Sequence, residues 1–288
     1  MSKKTFKTDV AKQIYFKQYD RSLKLWGIEL ETDYIETSFG KTHVIVCGPV
    51  SAPPLVLIHG MTVSSTMWFA NAPTWSKHFR IYAIDIVGDF GKSECTKSIS
   101  TSEDINTWLD ELLDSLGLDK VFLAGHSMGG WMSLQYCLNS NRVKKLVLLA
   151  PVMSFDRLNW KFPLKLFPAM WFKKTYFIKK LYKWLFAKNS VPDQVLFNQF
   201  VVGYKFGVMQ LRVPPRTYND EEIRNLKTPT LLLIGNEEVV YSSVDKAFER
   251  ASTNPIITTK LVVGASHCLS AEQKDEVNKL VTDYLIAN

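Results

Sequence analysis

Short apolar runs alternate with longer stretches whose apolar residues recur every three or four positions, and this alternation governs most of the chain. The runs at 55–59, 81–85, 120–124, 145–150, 230–235 and 260–263 read as buried parallel strands. Helical spacing is clearest at 105–116, 130–139, 244–251 and 271–286. Ahead of them, 33–37 and 42–47, joined across Phe39-Gly40-Lys41, predict an antiparallel hairpin at a sheet edge. Residues 1 to about 30 read as a helical leader that packs on the core or on an insertion. Strands alternating with helices imply an α/β fold with a mostly parallel, doubly wound sheet, whose ligands bind beyond the carboxyl ends of the strands.

From Pro151 to about Tyr218 the alternation stops, and the chain turns aromatic and basic. Trp160, Phe167, Trp171, Tyr176 and Trp184 are interleaved with Lys161, Lys165, Lys174, Lys180 and Lys183, and no acid occurs between Asp156 and Asp193. The segment reads as a helical cap, dividing the chain into a first core part, 1–152, the cap, 153–218, and a second core part, 219–288. Three readings of its composition stand side by side. Aromatics can fasten a small cap to the core while lysines solvate its outside. The same pattern suits weak peripheral contact with an anionic membrane. A basic lid can also attract anionic substrates.

At 288 residues and 46% apolar content, the chain has enough material for one sizeable core with an insertion. Its formal charge of +7 follows from the cap's local excess, and no nucleic-acid-binding motif accompanies it, so no nucleic-acid partner is expected. The N-terminus has lysines but no following apolar stretch of a secretory signal, and no run reaches transmembrane length without charges. Cys47, Cys95, Cys137 and Cys268 form no C-x-x-C pair, which points to reduced thiols and a cytoplasmic location. No metal-ligand spacing or phosphate-binding glycine fingerprint occurs, and no metal or cofactor is expected.

The chemistry concentrates in Gly125-His126-Ser127-Met128-Gly129, between a strand-like run and a helix-like run. A G-x-S-x-G pentad at such a corner lifts its serine clear of the sheet edge, and a Cβ at Gly125 or Gly129 would crowd the neighbouring strand and helix. A serine hydroxyl needs a base and a carboxylate that orients the base. His267, on the loop after the run 260–263, is the candidate base. The turn Asn236-Glu237-Glu238, after the run 230–235, supplies the candidate carboxylates. Oxyanion donors are expected in the backbone N–H groups of Met128, directly after the serine, and Met61, after the His59-Gly60 pair. Of the remaining histidines, His126 is expected to pack in the sheet layer away from Ser127. His59 shapes its loop by hydrogen bonding, and His43 and His78 are surface or edge residues. Cys268 reads as a packing residue rather than a second nucleophile.

These residues resemble the α/β-hydrolase superfamily, and within it the small bacterial carboxylesterase-like serine hydrolases. The segment Tyr82 to Ser93 is similar to the superfamily's D-x-x-G-x-G-x-S loop, with one extra residue between Gly88 and Gly91. The resemblance implies that the cap follows the sixth strand and that the order serine, acid, histidine forms a catalytic triad. Spacing after the strand-ending Gly235 then favours Glu238 as the acid, with Glu237 and Asp156 as alternatives. It implies cleavage of a small-molecule carboxylic ester through an acyl-enzyme. The same motif serves non-enzymatic or very slow ligand-binding and signalling proteins, lyases, perhydrolases and carbon–carbon bond hydrolases.

Overall fold

Glu31–Thr37 (β1) and Gly40–Cys47 (β2) form the expected hairpin, turning so tightly that Thr37 pairs with Gly40. Gly40 has φ +126°, and a Cβ there would meet the Glu94 carbonyl oxygen at 2.0 Å, so only glycine fits. The parallel strands are Pro54–Ile58 (β3), Arg80–Ile84 (β4), Val121–His126 (β5), Val143–Leu149 (β6), Thr230–Gly235 (β7) and Ile257–Val262 (β8). These elements come from a computed structural model, which describes residues 3–287. The sheet order is β1-β2-β4-β3-β5-β6-β7-β8, antiparallel as far as β4 and parallel beyond it. A two-residue strand, Glu94–Cys95, pairs with β2 off this path.

Alternation along each strand feeds two apolar layers. In β3, Val56 and Ile58 pack on one side with helices Ser102–Ser115 and Val244–Ala251. Leu55 and Leu57 pack on the other with helices Asp9–Leu23 and Lys274–Ile286. A strand buried on both faces is apolar throughout, which is why these runs show no period-two pattern. After β4 the chain returns past β3 to lay down β5, so β3 and β5 diverge at the centre of the sheet. Loops leaving their carboxyl ends open a crevice there.

Three elements and one histidine depart from the sequence-based expectation, β8 by starting at Ile257 rather than at position 260. The leader is helical only over Asp9–Leu23, capped by Thr8 Oγ1 accepting from the Ala11 N–H at 3.1 Å, with a 3-10 turn at Lys24–Trp26. Before it the chain is extended, with Phe6 bridging Gly207; residues 1 and 2 lie outside the described residues. The predicted helix 271–286 is two helices, Leu269–Glu272 and Lys274–Ile286, broken at Gln273, whose side chain turns back to donate to the Gly264 carbonyl at 3.1 Å. His43 is not a surface residue but 1% exposed. β2 is covered by β1 and the leader helix, and His43 Nδ1 lies 3.1 Å from Asp85 Oδ2 with Tyr19 and Tyr34 against its ring. Burial alone would raise the Asp85 pKa, but the hydrogen bond and charge of His43 outweigh it and hold the carboxyl below its ordinary value. His78 is exposed, as expected.

Between β6 and β7 the chain leaves the sheet for helices Lys161–Phe172, Thr175–Trp184 and Gln194–Phe206. The last packs along the leader helix. A buried amide fastens the junction: Gln199 Nε2 donates to Tyr15 Oη at 3.0 Å and Ser64 Oγ at 2.8 Å, while its Oε1 accepts from Thr66 Oγ1 at 3.0 Å. Among the described residues, no helix is long and apolar enough to cross a membrane.

Candidate active site

β5 ends at His126, and the helix Met128–Asn139 begins two residues later, so the single residue between them must reverse the chain. Ser127 does so at φ +51° and ψ −115°, a conformation costly for a residue with a side chain. The turn closes because its flanks are glycines. A Cβ on Gly125 would stand 2.4 Å from the Gly129 carbonyl oxygen, and one on Gly129 would stand 2.3 Å from the Ile58 carbonyl oxygen. The helix therefore starts directly against the end of β3.

Ser127 Oγ lies 2.9 Å from His267 Nε2. On the far side of that ring, Nδ1 meets both Glu238 oxygens, at 3.1 and 3.0 Å. With a carboxylate at Nδ1, the proton sits on that nitrogen and leaves Nε2 free to accept from the serine. Both side chains are nearly excluded from water, at 6% and 0% exposure. Glu238 is itself fixed, Oε1 accepting from the Val240 N–H at 2.6 Å. The competing carboxylates are occupied elsewhere. Glu237 accepts from the Lys188 N–H at 3.2 Å, and Asp156 accepts from the Ser243 N–H at 2.8 Å. All three aligned side chains leave the carboxyl ends of strands, β5, β7 and β8, although 140 residues separate Ser127 from His267.

The loop after β3 completes the floor. His59 Nε2 accepts from the Ile86 N–H at 2.9 Å, and its Nδ1 then donates to the Gly60 carbonyl at 2.7 Å, the loop-shaping role read from the sequence. A Cβ on Gly60 would lie 3.3 Å from Ser127 Cβ, so this loop runs against the serine. Met61 follows, held between two tethered amides: Gly60 N–H donates to Met67 Sδ at 3.5 Å, and Thr62 N–H donates to both oxygens of Asp89 at 3.1 and 3.0 Å. Met128 is the first residue of its helix, where backbone N–H groups lack intrahelical acceptors and carry the positive end of the dipole.

An α/β sheet of this strand order, a serine in a strained strand-to-helix turn and a histidine–carboxylate pair on two later loops have parallels among known proteins. Residues 53–189 match the family model described as alpha/beta hydrolase fold. Over 282 residues the chain is 36% identical to carboxylesterase YbfK of Bacillus subtilis, covering 94% of this chain and 93% of that protein. The chain belongs to the α/β-hydrolase family. Among solved structures, carboxylesterase CesB (YbfK) from Bacillus subtilis superposes with a TM-score of 0.92 at 34% identity, covering 96% of this chain and 99% of that one. Naproxen esterase (carboxylesterase NP), also from Bacillus subtilis, gives 0.90 at 35% identity, covering 95% and 97%.

In the α/β-hydrolase site, a small cleft bordered by His126 and Cys268, the chain neighbours of Ser127 and His267, is lined mostly by apolar groups. Val63, Met67 and Phe69 come from the loop after β3, while Tyr182, Leu196 and Phe200 come from the inserted helices. Two residues of this region were misjudged or missed in the sequence. His126 does not retire into the sheet layer: it lines the cleft, its Nε2 donates to the His267 carbonyl at 2.8 Å, and its ring lies 5.0 Å from that of His267. Burial, then the neighbouring His267 charge, pushes its pKa down to about 3, so the ring is neutral. Asp89 gave no signal of its own, standing alone in a buried, mostly apolar loop, Ile86-Val87-Gly88-Asp89-Phe90. Burial raises its pKa to about 6, against the opposing pull of His59 and of the Thr62 and Phe90 N–H groups. Through Thr62, the segment similar to the D-x-x-G-x-G-x-S loop thus steadies the residue beside Met61. Cys268 also lines the cleft, its thiol pushed well up by burial and then by Glu272 and Glu238, which disfavours the nucleophilic thiolate.

Proposed function

We propose that this chain is a serine carboxylesterase, with Ser127 as nucleophile, His267 as general base and Glu238 as the carboxylate that orients and stabilises the imidazolium. The observation that carries the reading is the unbroken line from Ser127 Oγ through His267 to Glu238, at 2.9 and 3.0 Å. Ser127 Oγ attacks the ester carbonyl as His267 Nε2 takes its proton. Negative charge developing on the carbonyl oxygen is met by the Met61 and Met128 N–H groups, each such donor contributing about 3–4 kcal/mol to the transition state. His267 then protonates the departing alcohol, leaving an acyl group on Ser127. Water, deprotonated by the same histidine, releases the acid and restores the serine. No step calls for a cofactor.

The substrate is a small-molecule ester with an apolar acyl or alcohol portion, as the lining of the cleft suggests. Residues 153–218 act as a cap whose inner side closes that cleft. The thiols of Cys47, Cys137 and Cys268 are free, which accords with a cytoplasmic setting. Steady-state hydrolysis of a series of p-nitrophenyl esters tests the reading. The parent is expected to turn over many times per active site and Ser127→Ala to fall to the buffer rate. Equal rates for the two proteins would reject the assignment. Binding without repeated turnover would make the protein a ligand receptor on the same fold.

A further inference from the structure

The first inserted helix, Lys161–Phe172, carries two apolar faces where one would serve the fold. Its inward face is Phe162, Leu166 and Ala169: Phe162 and Leu166 pack against the core clusters, and Ala169 is fully buried. At 100° per residue, these three centre about 180° away from Trp160, Leu164, Phe167 and Trp171, which fall within an arc of about 60°. That second row stands in water. Trp160 is 71% exposed, Leu164 61% and Trp171 77%, and Phe167 and Trp171 stack on each other with ring centroids 5.5 Å apart. Phe172 and Tyr176, beyond the row, are also exposed, at 60% and 59%.

Fastening the insertion to the core does not account for this row, since the opposite face already does so. The row is about 16 Å long, from a rise of about 1.5 Å for each of its residue steps. Apolar surface of this size, with two tryptophans, marks an interaction site. Along the chain, its flanking charges are of one sign. From Arg157 to Pro192 the chain has one arginine, eight lysines and no acid. Lys161, Lys174, Lys179, Lys180 and Lys183 are all exposed, and Lys180 Nζ lies 4.4 Å from the Tyr176 ring. A second copy of this chain would set this positive field against itself. A surface that is apolar inside and negative outside complements it.

We propose that the insertion docks the protein peripherally on an anionic lipid surface, with Trp160, Leu164, Phe167 and Trp171 entering the interface and the flanking lysines meeting lipid phosphates. Helices with aromatic residues on one face and lysines around it bind in the plane of the headgroups, and each lysine close to the surface strengthens binding about fivefold. Docking by this face holds the cleft, whose walls include Tyr182 and Phe200 of the same insertion, near the phase into which apolar esters partition. Docking through this face does not depend on the esterase chemistry.

Flotation of the full chain with phosphatidylcholine vesicles, with and without an equal share of phosphatidylglycerol, tests the proposal. The parent is expected to float with the anionic vesicles at least tenfold more strongly than with the neutral ones, and to be released by salt near ~0.5 M, where the Debye length has shrunk to about 4 Å. Leu164→Ser/Trp171→Ser is expected to lose about tenfold or more in partitioning while keeping the parent's far-ultraviolet spectrum. Lys174→Ser/Lys179→Ser is expected to lose a comparable factor on anionic vesicles alone. Hydrolysis of a soluble ester by all three proteins is read in parallel, so failure of the esterase reading is visible separately. Parent protein that ignores phosphatidylglycerol, or variants that float like the parent, would overturn the proposal. So would a concentration-dependent dimer that the serine variants abolish, in parent that does not bind vesicles.

Discussion

Around the serine turn, His267, Asp89 and the Glu238 side chain are buried and Ser127 is half-buried, all among fixed partners, whereas along the helix Lys161–Phe172 and its start two tryptophans stand in water with lysines around them. Both regions use costly arrangements, and the costs differ in kind. The floor holds a strained serine backbone and buried charges in place with neighbouring strands, glycines that allow backbones to touch, and bonded carboxylates. The inserted helix leaves apolar area unburied, a cost that a partner surface removes on contact. Geometry matters in the first region and exposed chemistry in the second, so small changes should be severe in one and mild in the other.

The contrast is sharpest at the acid. Glu238→Gln preserves shape but removes the charge by which the proposed mechanism stabilises the imidazolium, and kcat on a p-nitrophenyl ester should fall about 10⁴-fold. Glu237→Gln and Asp156→Asn, next in the order of candidates, should stay within a few-fold of the parent in the same assay. Next comes the turn. Gly129→Ala would put a Cβ 2.3 Å from a backbone oxygen that cannot yield cheaply, and should lower the unfolding free energy by about 3 kcal/mol or more, read by urea denaturation. If that variant kept parental stability, the close contact between helix and β3 would be wrong.

A smaller effect concerns His126. Its folded pKa of about 3 lies below the ordinary value of 6.5, so the unfolded chain takes up a proton in that interval and the folded one does not. Its contribution is complete above about 6.5 and is lost as pH falls towards 3, at up to about 1.4 kcal/mol per unit. Asp89, raised from 3.8 to about 6, acts with the opposite sign, because the folded state holds that proton more tightly. Comparing His126→Asn with the parent cancels Asp89. The stability gap between them should narrow as pH drops below 6.5, and a constant gap from pH 7 to 4 would contradict a neutral buried ring. Smallest of all, Trp171→Ser should change stability by no more than about 0.5 kcal/mol, since its side chain is 77% exposed.

How far the sequence could be read follows the same division. Strands β3 to β7 were visible as apolar runs because both faces are largely buried, whereas the edge strand β8, with Thr258, Lys260 and Leu261 exposed, showed only its last residues. Ser127, His267 and the Glu237–Glu238 turn were visible because catalysis in this family draws its groups from strand ends in a recognisable order. His43, Asp85 and Asp89 were opaque because their meaning lies in partners distant along the chain, such as His43 with Asp85, 42 positions away. His126 misled for a related reason: the elbow turns it from Ser127, but the loop carrying His267 folds back over it. In the insertion, composition disclosed aromatic and basic character. Which aromatics face inward depended on the helix's rotation against its neighbours, and that required the packed structure.

Acylation of Ser127 during turnover can be read directly by mass spectrometry. The protein is mixed with a p-nitrophenyl ester, quenched in acid within the first turnover and digested. One added acyl mass is expected on the peptide containing Ser127 and none in Ser127→Ala. Continued ester hydrolysis with no acyl group at that serine, or with the acyl group on another residue, would contradict it.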